Sequence, residues 1–359
     1  MVVLTPVAEF FTYLSFSVLV GHVVLQFVPE KSKPGVFIPK PVLLLSCLGI
    51  IFFTFIPVLQ VILYFEGSLA LGPAALSFLT EFQVGKAWIF IGFMATFLYL
   101  TIYVQGSKYM LSFWLLLMIL AIGYASHISS LSFWYGLINH SIHFAVAVIW
   151  VGILLNVGWF SSNSNNWERF LKWFTPFAVV SVVMIIISGL LVMFLIVEPD
   201  EYLKAWVLPY GQMLLLKHIS IIPVIVFACI NGILAKKVKD SSYDPLPWIK
   251  AETILLMFVF FFTGVMGTLS PPHEVDLTVR TEGSAKWVEL LLNKEVTSPF
   301  QAGLSPSILS FMFLLISIII LLFMIISHRR KLPLLAVVLG CCLIIALYMA
   351  FMLAFNIVG

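Results

Sequence analysis

The sequence predicts an all-α fold: a polytopic integral membrane protein of about ten transmembrane helices with both termini outside. Three observations predict it. Of 359 residues 62% are hydrophobic and 10% charged, with a mean hydropathy of +1.12. That leaves too little polar surface to cover a soluble domain. The apolar residues form runs of roughly 20 or more, the length that crosses hydrocarbon as a helix. Lysine and arginine, finally, concentrate in alternate loops.

The runs lie near 5–28, 41–65, 83–105, 109–126, 133–159, 168–197, 208–235, 248–270, 304–327 and 333–356. The fourth is short and tied closely to the third through "QGSKY". The first lacks the basic start of a secretory signal and a clear small-residue cleavage site, so it reads as a retained helix. Lys31, Lys33 and Lys40 occupy the first loop, Lys108 the third, and Arg169 with Lys172 the fifth. Lys236, Lys237, Lys239 and Lys250 flank the seventh loop, and Arg329, Arg330 and Lys331 form the ninth. The even loops hold only Lys86, Lys204, Arg280, Lys286 and Lys294. The positive-inside rule then makes the odd loops cytoplasmic.

No internal repeat or low-complexity linker interrupts the chain, so residues 1–359 read as a single membrane domain. Its longest loop, 271–303, is external. Within it "SAKWVELLLNKE" has the pattern of a short amphipathic interfacial helix. "GSLALGPAALSFLTEF" reads as a second external interfacial or re-entrant piece.

A net charge of +3 and the scattered basic residues exclude a nucleic-acid-binding domain. Cys47, Cys229, Cys341 and Cys342 sit inside apolar runs without a CxxC, which argues against a disulfide framework. No hydrolase triad, phosphate loop, HExxH or pair of catalytic carboxylates stands out, so an enzyme is not expected.

The histidines carry the functional information. His140 and His143 interrupt the fifth run and His218, beside Lys217, the seventh; His127 and His273 end two others. Imidazoles are costly in hydrocarbon and normally face a protein interior, a cavity or a cofactor. At 1.5 Å per residue His140 lies roughly 10 Å and His143 roughly 15 Å below the outer end of their run, with His218 at a depth similar to His143. The i,i+3 spacing puts His140 and His143 on one face. All five fall in the outer half; His22 and His328 lie toward the cytoplasm.

Two cofactor chemistries fit. Imidazole ligates copper and zinc, and a methionine thioether such as Met213 or Met266 favours Cu(I). Alternatively, His143 and His218 are axial ligands of a haem b, as in membrane electron-transfer cytochromes. A lysine within the bilayer needs a partner or a route to the interface. For Lys217 the candidates are Glu9, in the outer part of the first run, or an anion such as a haem propionate. Glu252 opens the eighth run at the cytoplasmic side, either as an interfacial charge near Lys250 or in release and proton coupling.

Several stretches resemble the CopD copper-resistance family in its own order. "YASHIS" with His127 comes first, then "NHSIHFAVAVIWVGILL" with His143, Trp150 and Gly152. "YGQMLLLKHISIIPVIVFACIN" with Tyr210, Gly211, Lys217 and Asn231 follows, and then "ETILLMFVFFFTGVMGTLSPP". The resemblance covers roughly residues 120–275, the CopD-like core. It implies copper transport or uptake across a bacterial plasma membrane. Relatives of the YcnJ type fuse this membrane domain to an extracellular CopC-like β-domain. No β-rich segment of that kind stands in this sequence, so the expected partners are copper, a separate extracellular copper donor and the lipid bilayer. A copper-binding assembly factor for a membrane oxidase is the other class compatible with these residues.

Overall fold

The computed structural model describes residues 4–65, 71–162, 165–234 and 244–358. The helices are α1 (Leu4–Phe27), α2 (Lys40–Phe65), α3 (Leu71–Glu81), α4 (Gln83–Tyr103), α5 (Lys108–Tyr124), α6 (His127–Leu131) and α7 (Phe133–Phe160). They continue with α8 (Trp167–Phe194), α9 (Pro209–Leu234), α10 (Leu246–Met266), α11 (Val275–Glu282), α12 (Lys286–Leu292), α13 (Ile308–Arg329) and α14 (Pro333–Ala354). Two 3-10 turns, Glu30–Ser32 and Lys204–Val207, and two four-residue strands, β1 (Gln301–Leu304) and β2 (Phe355–Val358), complete the described elements. Each of the ten apolar runs is a helix. Among the described residues nine helices are long and apolar enough to cross a membrane, and Lys108–Tyr124 is a shorter apolar one. This is a polytopic helical membrane protein.

The chain divides into two compact units, Met1–Val192 with Ala235–Ile249 and Met193–Leu234 with Lys250–Gly359. In the first unit, α7 is buried on every side from Trp150 to Gly158, as befits a helix that is apolar all round. It crosses α1 at backbone contact. A Cβ on Gly21 would lie 2.2 Å from the Gly152 carbonyl oxygen, and one on Gly152 equally 2.2 Å from that of Ser17. Small residues permit such approaches between membrane helices. Beside the crossing the buried Asn156 donates from Nδ2 to the Val18 carbonyl at 2.9 Å.

Three basic loops of this unit, the first, third and fifth, meet at one end. The Phe37 amide donates to Phe160 O at 2.9 Å and the Ser162 amide to Gly35 O at 2.7 Å, joining the first loop to the fifth. Lys33 is 7% exposed, and its ammonium donates to Leu25 O at 2.6 Å. Lys108 reaches Gln26 O at 3.3 Å, and Lys40 reaches Tyr103 O at 2.8 Å. Lysines thus satisfy carbonyls at the C-terminal ends of α1 and α4, where a helix dipole favours cations. The segment expected to be interfacial or re-entrant supplies α3, whose Phe78 packs into a core with Val58 and Ile62 of α2. The part of that segment at 67–70 lies outside the described residues.

In the second unit α14 packs against both α13 and α9. β1 and β2 pair antiparallel, Gln301 opposite Val358 and Leu304 opposite Phe355. Their pairing puts the start of α13 and the end of α14 at one end, as two successive spans require. It also trims the apolar runs. The ninth run begins at 304, whereas α13 begins at Ile308 behind a reciprocal cap between Ser307 and Ser310. "SAKWVELLLNKE" does form a helix, α12, which Asn293 ends in the left-handed conformation at φ 49°.

Candidate metal-binding residues

In the first unit, His127 opens the short helix α6 and is exposed. His140 and His143 are half-buried on α7. His143 lies against α8: its Nδ1 is 3.0 Å from the Ser188 hydroxyl. The adjacent Gly189 leaves room for the ring, since a Cβ there would sit 3.1 Å from Cε1. Glu9, half-buried on α1, accepts a hydrogen bond from Tyr13 one turn further along. The Tyr13 ring packs on Phe144, next in sequence to His143, at 5.9 Å between centroids.

In the second unit, Met213, Lys217 and His218 are half-buried on α9. The segment before α9 folds inward rather than remaining a surface loop. Ala205, Trp206, Val207 and Leu208 are all buried. Lys204 anchors the segment through ion pairs to Glu201 at 3.7 Å and Asp276 at 3.4 Å. A hydrogen bond from Ser298, opposed by slight burial and aided by the Lys204 charge, holds the Asp276 carboxyl below its usual range. This fold carries the Tyr202 hydroxyl to 2.9 Å from His218 Nδ1, with the two rings 6.0 Å apart. Burial pushes the Tyr202 phenol up from its ordinary value, so it stays a neutral hydroxyl.

The ion pairs to Glu201 and Asp276 belong to Lys204 rather than to Lys217. Met266 is the half-buried last residue of α10, and His273 is exposed beyond it. Glu252 is 3% exposed. It is not an interfacial charge but the acceptor of a 2.5 Å hydrogen bond from Asn231 Nδ2. Among the described residues no three His, Cys, Asp or Glu side chains are gathered closely enough to hold a metal ion.

Sequence reasoning did not single out Ser188, Gly189 or Tyr202. Ser188 had a signal, a hydroxyl within an apolar run, which it shares with Ser181. Tyr202 had none, because nothing local to its loop says that it turns back along α9.

Residues 168–266 match the copper resistance protein D (CopD) family profile. The match takes in α8, α9 and α10, and with them Ser188, Met213, Lys217, His218, Glu252 and Met266. The α7 histidines lie before it. A curated relative, "Copper transport protein CutJ" of Bacillus subtilis (strain 168), is 29% identical over 146 residues. That alignment covers 39% of this chain and 26% of the relative. No solved structure matches the chain. The chain is a multi-pass membrane protein whose residues 168–266 are similar to the copper resistance protein D family.

Proposed function

We propose that this protein transports copper inward across a bacterial plasma membrane, supplied by a separate extracellular donor or by free ion. The family match over α8 to α10 carries the reading, because it includes His218 together with the soft sulfur of Met213 and Met266. Exposed His127 and His273 are the proposed entry ligands, and His140, His143 and His218 hold copper within the bilayer. Transport needs several weak sites in succession rather than one tight site. Half-buried histidines, two on α7 and one on α9, suit that requirement. Lys217 next to His218 keeps that site from becoming a trap, since a neighbouring cation weakens the hold on a metal cation. Glu252, buried and hydrogen-bonded to Asn231, serves release or proton coupling on the inner side.

Copper accumulation by cells or proteoliposomes tests the proposal. His218→Ala and His143→Ala are each expected to cut uptake by about tenfold or more, the scale of losing roughly 1.4 kcal/mol of ligand affinity. Uptake unchanged in both, at equal protein in the membrane, sinks it.

A further inference from the structure

Ser188 is 4% exposed, and its hydroxyl faces two carbonyls of its own helix, the further being Ile185 O at 3.3 Å, and one imidazole. Its Oγ lies 2.6 Å from the Met184 carbonyl oxygen, one turn back on α8, and 3.0 Å from His143 Nδ1. A carbonyl can only accept, so the single hydroxyl proton goes to Met184. The contact with His143 then requires Nδ1–H to donate to the hydroxyl oxygen. A neutral imidazole carries one such proton, which leaves the ring's lone pair on Nε2. Gly189 shapes the same seat. Any side chain there would begin 3.1 Å from Cε1 and 3.5 Å from Nδ1, so the ring would have to shift by a few tenths of an ångström.

We infer that Ser188 and Gly189 form a seat that holds His143 in its Nδ1–H tautomer and makes Nε2 its metal-coordinating atom. A metal-bound histidine is commonly oriented through its second nitrogen, and losing that partner costs about 10–100-fold in metal affinity. Ser188 is thus a positioning residue. The tautomer follows from the contacts of the Ser188 hydroxyl, whereas the coordinating role rests on the copper reading above. Other histidines are held differently. His22 Nε2 accepts from the Gln26 amide at 2.8 Å, and His218 Nδ1 meets a phenol that is able to donate or accept.

The test uses the full chain labelled with 15N-histidine in lipid, without metal. The His143 resonances are assigned by their loss in His143→Ala. Wild-type protein is expected to show a protonated Nδ1 and an unprotonated Nε2. Ser188→Ala shifts His143 toward the Nε2–H form, while Ser188→Thr, which keeps a hydroxyl, retains the wild-type pattern. Cu(I) competition titrations on the same proteins are expected to show affinity about 10–100-fold weaker in Ser188→Ala and near wild type in Ser188→Thr. Gly189→Val is expected to weaken it as well. An Nε2–H tautomer in the wild type, or one that Ser188→Ala leaves unchanged, overturns the seat. If the tautomer behaves as expected but neither Ser188→Ala nor His143→Ala alters Cu(I) affinity, the coordinating role and the copper reading of His143 both fall.

Discussion

Gly152→Ala is expected to prevent the first unit from folding. The added carbon would stand 2.2 Å from the Ser17 carbonyl oxygen, with Gly21 N at 2.9 Å and Gly21 Cα at 3.1 Å. All three are main-chain atoms of α1, so no rotamer change relieves the clash. The helices must separate, and their separation breaks the 2.9 Å bond from Asn156 to Val18 O. Overpacking a core commonly costs about 1–3 kcal/mol. Here the loss is expected beyond that range, because a buried polar group is unpaired as well. The readout is the fraction of detergent-extracted protein that elutes monodisperse, together with its thermal midpoint. Gly92→Ala is the control: a Cβ at Gly92 meets nothing within 4 Å. It is expected to be neutral or to stabilise by about 0.5–1 kcal/mol, since alanine loses less backbone freedom in a helix. Equal behaviour of the two variants would mean that α1 and α7 do not meet at these glycines.

The second large effect is expected at the pair between α9 and α10. Asn231→Ala leaves the Glu252 carboxyl, 3% exposed, without the amide that donates to it at 2.5 Å. Stranding a buried polar group costs about 1–3 kcal/mol, and more when it is charged. Replacing both members removes the desolvation problem along with the bond, so pairs swapped for apolar residues are often neutral or better. Asn231→Leu with Glu252→Leu is therefore expected to be more stable than Asn231→Ala alone, by about 2 kcal/mol. Thermal unfolding in detergent reads the order directly. If uptake is lost in the double variant while stability is kept, the carboxyl acts in transport rather than in folding.

The spans were legible because hydrocarbon imposes one requirement on every helix, an apolar run of sufficient length. Their ends were less so. Phe355, Ile357 and Val358 extend an apolar run, but pairing with Gln301–Leu304 satisfies their main chain as a strand instead. Residues 304–307 were lost to α13 because a serine cap fixes where a helix starts more sharply than hydropathy does. The lysines were legible as loop residues, and their partners were not. Lys33, Lys40 and Lys108 each bind a carbonyl at a helix end.

The histidines were visible as polar residues in apolar runs, whereas their partners were not. Ser188 reaches His143 across 45 positions of sequence, and Tyr202 reaches His218 through the buried segment before α9. Both pairings depend on which faces of two helices meet, and hydropathy carries no information about rotation around a helix axis. The buried Glu252–Asn231 bond was hidden for the same reason: the position next to Lys250 suggested the interface, and helix packing put the carboxyl inside.

The copper and haem content of the pure protein, with its absorption spectrum, tests the central claim most directly. Protein purified without added cofactor and then loaded with Cu(I) is expected to retain copper and to show no Soret band. His143→Ala and His218→Ala are each expected to retain less copper. A Soret band in the wild type that disappears in either variant would contradict the account and assign these histidines to haem iron.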